Sequence, residues 1–297
     1  MIDLTGKVAI VTGGCSGIGR GTVGVLRRAG ARVACVDVQD EKGQALATEL
    51  GDDGLYVHAD VTSEPEVAAA FGRVVERLGG IDILFNNAGA AEPLGSDPFD
   101  LEIFERVQKL LVHSVVLGMK YAIPSMAARG GGSIINTASV AGLQAGYGPF
   151  AYSVAKGAVV HLSRVAAAAL AKDAIRVNAI CPGLIPTAIF GRALGESVAD
   201  ADRRARDIGE RAHGFQPIRI AGSPDDIGNA VAYFASDLSR FVTGQFLAVD
   251  GGLTVGPRAA WEESAAIENW ARIGMSEEQI KGLLAVAPAR DEQTGAR

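Results

Sequence analysis

The sequence predicts an α/β fold: a single domain, doubly wound around a seven-stranded parallel sheet. Short β-branched runs alternate with longer stretches of helical periodicity, the pattern of strands joined by crossover helices. Those runs are apolar almost throughout, as strands covered on both faces must be. No Pro/Ser-rich linker, repeat or low-complexity tract interrupts them.

The elements follow in order. The first strand, 8–12, reads VAIVT and runs into a glycine cluster that opens a helix over 17–29. Strands are then expected at 32–37, 55–58, 81–85, 133–136, 176–180 and 246–249. Helices are expected at 41–50, 65–78, 101–128, 151–172 and 224–235, with Gly130 to Gly132 as a helix stop. Two stretches leave the rhythm. Residues 184–219 are polar and helix-prone, a lid over a domain spanning 1–256, since long insertions at strand ends usually carry function. The tail, 257–297, has helix-like patterning over 261–285, with Ser276-Glu277-Glu278-Gln279 as a capping box.

Composition excludes several partners. A net charge of -6 with no dense Lys/Arg cluster argues against nucleic acid. Cys15, Cys35 and Cys181 are odd in number and scattered, so they read as buried thiols of a reducing compartment, the cytoplasm, rather than a disulfide framework. The first fifteen residues lack a basic leader, and no apolar run is expected to reach membrane-spanning length. His58, His113, His161 and His213 lie far apart, so no metal is expected.

In open α/β sheets, ligands bind at the carboxyl ends of the strands. Thr12-Gly13-Gly14-Cys15-Ser16-Gly17-Ile18-Gly19 follows the first strand, where glycines let phosphates approach a helix N-terminus. Asp37 ends the second strand, placed to accept from the adenine ribose hydroxyls and to repel a 2′-phosphate. Neither Ser16 nor Val38 offers a phosphate the basic partner it needs, so NAD is expected over NADP.

With these residues in place, the chain resembles the short-chain dehydrogenase/reductase family, in its shorter single-domain branch with a Rossmann fold. The pattern Thr12 to Gly19 resembles its TGxxxGxG, Tyr152-Ser153-Val154-Ala155-Lys156 its YxxxK, and Asp60-Val61, Asn86-Asn87-Ala88-Gly89 and Pro182-Gly183 its further motifs. The likeness runs from about Leu4 to Leu253, closing at Asp250-Gly251-Gly252. It implies that NAD is held by Gly13, Ser16, Gly17, Ile18, Gly19, Asp37, Val38, Asp60, Val61, Asn87, Ala88, Gly89, Tyr152, Lys156, Pro182, Gly183, Ile185 and Thr187. It also implies a homo-tetramer, in which the helical tail beyond Gly252 is expected across a subunit interface or near a neighbour's lid.

Ser139, Tyr152 and Lys156 form the expected reactive set. Residues four apart share a helix face, so Lys156 lies beside Tyr152 and is expected to favour its phenolate. Tyr152 then acts as general base in alcohol oxidation and general acid in ketone reduction, while Ser139 holds the substrate oxygen. Where the family usually carries an asparagine whose side chain keeps the helix locally bent, this chain has Leu111. His113 is two residues on, about 200° around a helix, and is expected to face elsewhere. Leu143, Tyr147, Phe150, Ile189, Phe190 and Phe215 are candidates for the substrate wall and favour an apolar, cyclic or aromatic alcohol or ketone; Arg192 leaves a clamp for an anionic group open. A non-catalytic NAD sensor or scaffold on the same fold is the alternative, which Leu111 keeps in play.

Overall fold

Alternating side chains on continuous apolar strands need cover on both faces, and the computed structural model, which describes residues 2–93 and 95–284, supplies it. The chain divides into two compact units, Met1–Gly251 and Gly252–Arg297. The first runs β1 (Val8–Thr12), α1 (Gly17–Arg28), β2 (Arg32–Asp37), α2 (Asp40–Leu50), β3 (Gly54–His58), α3 (Glu64–Leu78), β4 (Ile83–Asn86), α4 (Leu101–Gln108), α5 (Ser114–Ala128), β5 (Gly132–Thr137), α6 (Phe150–Leu170), β6 (Ile175–Pro182), α7 (Ile189–Ala193), α8 (Val198–Arg211), α9 (Pro224–Ala235) and β7 (Phe246–Val249). The strands form one seven-stranded sheet in the order β3-β2-β1-β4-β5-β6-β7, parallel throughout. The order reverses between β1 and β4, which opens a crevice at their carboxyl ends.

The central strands feed two cores. Val8, Ile10, Ala34 and Val36 point to one face, under Phe71 and Val74 of α3, Met119 of α5 and Val159 of α6. Ala9, Val11, Val33 and Cys35 point to the other, under Val23 and Leu26 of α1, Leu46 of α2 and Val231 of α9. Caps set several ends: Asp100 accepts from the Glu102 and Ile103 N–H groups, and Ser223 and Asp226 make a reciprocal capping box under Pro224. Gly130, at φ +86°, stops α5 as expected.

Three expectations change. β4 begins at Ile83, because the carboxylate of buried Asp82 accepts from the Val8 N–H (2.8 Å) and the Arg129 guanidinium (2.8 Å) at its entrance. The single helix expected over 101–128 is broken by a widened π turn, Lys109–His113, between α4 and α5. The stretches 101–128 and 150–173 are also long and apolar enough to cross a membrane, at a mean hydropathy of 1.3 each. Inward faces of both pack on the sheet through Met119, Ala122, Met126, Val159 and Ala167.

In the second unit, α10 (Glu263–Arg272) and α11 (Glu277–Leu284) carry i,i+4 ion pairs Glu268–Arg272 and Glu277–Lys281. The expected capping box forms: the Ser276 N–H donates to Gln279 Oε1 (2.8 Å) and the Gln279 N–H to Ser276 Oγ (3.3 Å). Gly274, at φ +90°, separates the two helices; Ala285 lies outside the described residues.

Candidate active site

The loop after β1 and the loop after β4 meet at the crevice as one interlocked piece. A β-carbon on Gly13 would lie 2.8 Å from Ala88 Cα, and one on Gly19 only 2.1 Å from the Gly13 carbonyl oxygen, so no side chain fits at either position. Asn87 donates its amide to the Thr12 (3.0 Å) and Gly13 (3.3 Å) carbonyls, while Thr12 Oγ1 accepts from the Asn87 (2.9 Å) and Ala88 (3.1 Å) N–H groups. The Asn87 side chain thus shapes the cradle. No side chain caps the start of α1 at Ser16, so its first N–H groups are left to an anion. A dinucleotide pyrophosphate fits such a cradle.

At the next strand, Asp37 is buried; its carboxylate accepts from the Cys15 N–H (2.9 Å) and from the Gln39 backbone N–H (3.1 Å) and amide (3.3 Å). Gln39 also donates to Ser16 Oγ (3.2 Å), closing the adenosine end of the cradle, and Val38 beside it is exposed. Asp60 is exposed and its carboxylate accepts from the Thr62 N–H (2.8 Å), while Val61 is buried. Cys15 and Cys35, far apart in sequence, bring their thiols to 3.4 Å beneath Asp37. With the Asp37 carboxylate they form a group of metal-donor atoms within 4.8 Å of one another.

Ser139, Tyr152 and Lys156 converge at the end of β5. Ser139 Oγ accepts from the Ala141 N–H (3.2 Å) and is hydrogen-bonded to Tyr152. Lys156 is buried, donates to the Thr137 carbonyl (2.6 Å) and lies 5.6 Å from the Tyr152 ring centroid. The expected electrostatics change here. Desolvation holds the Tyr152 phenol above its ordinary value, with the Ser139 hydrogen bond opposing it. Burial likewise lowers the Lys156 ammonium to about 8. In this arrangement removal from water is the largest influence on both groups.

Leu111 is fully buried inside the π turn, packed with Val107, Ala151 and Ala155 and against Tyr152. A β-carbon on Gly89 would come within 2.8 Å of its Cδ2. The local bend therefore forms without an asparagine. Ser114 Oγ donates back to the Leu110 carbonyl in the same turn. His113 is exposed.

Two polar residues at the site escaped the sequence reading, Gln39 and Glu92. Glu92 is buried, and its carboxylate accepts from the Ala151 N–H (3.2 Å) and the Tyr152 N–H (2.8 Å). Its partners are backbone groups 59 and 60 positions away, which no local spacing encodes. Over the crevice, Thr187 lies against Gly17, whose added β-carbon would sit 3.2 Å from Thr187 Cγ2; Ile185 is buried. The Gly183 N–H donates to Val249, holding the Pro182-Gly183 turn on β7. The stretch 184–219 contains α7 and α8, and Glu196, between them, pairs with Arg204 of α8. Arg192 donates to the Glu196 carbonyl (2.7 Å). Of the expected wall, Leu143, Tyr147, Ile189 and Phe190 are partly buried and Phe215 is exposed. Phe150 instead joins Phe99 and Phe104, its ring centroid 5.4 and 6.4 Å from theirs.

Comparisons with known proteins agree with this geometry. Residues 13–254 match the family model described as Enoyl-(Acyl carrier protein) reductase. The chain is 40% identical to (+)-borneol dehydrogenase 2 of Salvia officinalis over 85% of its length and 91% of that protein's. It is also 40% identical to 2,5-dichloro-2,5-cyclohexadiene-1,4-diol dehydrogenase of Sphingobium indicum, over 86% and 99%. A crystal structure of a short-chain type dehydrogenase/reductase from Mycobacterium marinum superposes with a TM-score of 0.75 at 32% identity, covering 86% of this chain and 98% of that one. On fold, site and relatives together, this chain is an oxidoreductase of the alcohol dehydrogenase type and belongs to the short-chain dehydrogenase/reductase family.

Proposed function

We propose that the enzyme interconverts an apolar, cyclic secondary alcohol and its ketone with NAD, using Ser139, Tyr152 and Lys156. The observation that carries this reading is the hydrogen-bonded Ser139–Tyr152 pair with the Lys156 ammonium beside it, at the sheet's reversal point. Relatives named for borneol and a cyclohexadienediol support a ring-bearing substrate. When bound, NAD supplies the acceptor or donor of hydride.

The chain's own residues do the rest. Ser139 Oγ and the Tyr152 hydroxyl would both hold the substrate oxygen, orienting the carbinol carbon for hydride transfer. In ketone reduction, the Tyr152 phenol gives its proton to that oxygen; in alcohol oxidation the phenolate, left once that proton has departed, takes the alcohol's proton. The Lys156 ammonium stabilises the phenolate formed as the proton leaves. Gly13, Gly17, Ile18 and Gly19 would hold the pyrophosphate, Asp37 the adenine ribose, Lys156 the other ribose, and Ile185 and Thr187 the carboxamide. Burial of Asp37 at the end of β2, with exposed Val38 rather than a cation beside it, supports NAD over NADP.

A homo-tetramer is part of the proposal. Leu238, Phe241, Phe246 and Leu247, on and shortly before the edge strand β7, are exposed apolar side chains of the kind subunit contacts cover. A cytoplasmic setting is supported by the three free thiols. The test is a panel of borneol, cyclohexanol, cyclohexenediols and linear secondary alcohols, each with NAD and with NADP, followed by nicotinamide absorbance. Cyclic alcohols oxidised with NAD are expected. Preference for linear alcohols or for NADP would overturn the corresponding part, and saturable NAD binding without turnover of any alcohol or ketone would favour the non-catalytic alternative.

A further inference from the structure

The helix that carries Tyr152 begins without a cap of its own. Pro149 occupies the capping position of α6 and makes no side-chain bond to its first turn. A helix start leaves backbone N–H groups unpaired, and those in a buried site need an acceptor. That acceptor comes from the loop after β4: Glu92 Oε1 takes the Ala151 N–H (3.2 Å) and Oε2 the Tyr152 N–H (2.8 Å), in a carboxylate 5% exposed. An anion at this end also complements the dipole of a 21-residue helix.

The connection reaches further. Five residues before Glu92, Asn87 is pinned to the Thr12 and Gly13 carbonyls of the glycine loop. The segment 87–92 is thus fixed to the cofactor cradle at one end and to the proton-transferring helix at the other. We infer that Glu92 is a positioning residue: it holds the first turn of α6, and with it the Tyr152 hydroxyl, in register with the cofactor cradle. Lys156 stands one turn deeper, is buried, and has its own bond to Thr137. Loosening the first turn therefore displaces Tyr152 and leaves Lys156 in place. The inference rests on Tyr152 being the proton-transfer group.

Three variants separate the possibilities. Glu92→Gln keeps the length but turns one of two acceptors into a donor facing an N–H; Glu92→Ala removes both; Glu92→Asp keeps the charge on a shorter stem. With whichever alcohol of the panel above the unmodified enzyme oxidises fastest, Glu92→Gln and Glu92→Ala are expected to lose roughly tenfold or more in kcat. The solvent deuterium isotope effect should rise as proton transfer becomes slower. NAD affinity should stay within about twofold, and Glu92→Asp should recover part of the turnover. Without any substrate, amide hydrogen exchange should quicken in peptides covering 150–153 and remain unchanged in those covering 132–137. Unchanged exchange at 150–153, or unchanged kcat in both Gln and Ala variants, would overturn the assignment. So would a parallel fall of melting temperature, NAD affinity and turnover in all three, which marks a plain stability role. Tyr152→Phe run alongside tells the two readings apart: full turnover there refutes Tyr152 itself, whatever Glu92 does.

Discussion

Lys156→Met tests the electrostatics of the site through stability rather than rate. The ammonium is fully withdrawn from water, and burial lowers it from 10.5 to about 8. At about 1.36 kcal/mol per pH unit, that difference weighs roughly 3 kcal/mol against the folded state at neutral pH. The folded protein releases this proton near 8 and the unfolded chain near 10.5, so between those values the unfolded chain binds more protons. Stability contributed by this group therefore rises with pH through that window. Between about pH 7 and pH 10 the unmodified protein should gain roughly 2 to 3 kcal/mol relative to the methionine variant. Loss of the bond to the Thr137 carbonyl costs the variant about 1 to 3 kcal/mol, but at either pH alike, so it cancels from the comparison. Urea unfolding of both proteins at the two pH values reads the change directly. A stability gap that stays constant within about 0.5 kcal/mol would show that Lys156 is not desolvated, and the argument for its depressed proton affinity would fall. The same variant should lose turnover even where it is the more stable protein.

Tyr152→Phe should bind NAD as the parent does and lose at least about a hundredfold in kcat, since the ring stays while the proton-carrying hydroxyl goes; near-normal turnover in the absorbance assay would refute its role. Asp37→Ala with Val38→Arg should move cofactor preference towards NADP, read as the ratio of kcat/KM values, because a repelling carboxylate leaves and the exposed position at Val38 accepts a guanidinium. NADP preference already present in the parent would contradict that reading. Leu111→Asn should leave cofactor affinity unchanged and turnover within about threefold, since the π turn is already formed around Leu111. A gain of several orders of magnitude would mean that the natural enzyme is crippled there.

Much of the fold was legible because continuous apolar runs and helical periodicity report burial directly: VAIVT and RVACVD form the buried strands their patterns imply. What escaped has a common cause, namely bonds between groups distant in sequence. Asp82 shortens β4 by accepting from Val8, 74 positions away, and Glu92 caps α6 from 59 positions away. The π turn escaped because it alters hydrogen bonding without altering the apolar pattern around Leu111. Motif spacing placed Ser139, Tyr152 and Lys156 together correctly. It could not report that burial raises the phenol instead of lowering it, because desolvation depends on everything packed around the pair.

The interlock of the two cofactor loops bears on how such an enzyme can be altered. Gly13 and Gly19 have no room for a side chain against Ala88, Asn87 and the Gly13 carbonyl, so a substitution at either requires movement of its neighbours. The rim beyond them is loosely constrained: Val38 and Phe215 are exposed, and Gln39 reaches its partners by side-chain bonds that many residues could replace. Changes of cofactor and substrate preference are therefore more easily accommodated on that rim than at the interlocked centre, and libraries aimed at new specificity belong there.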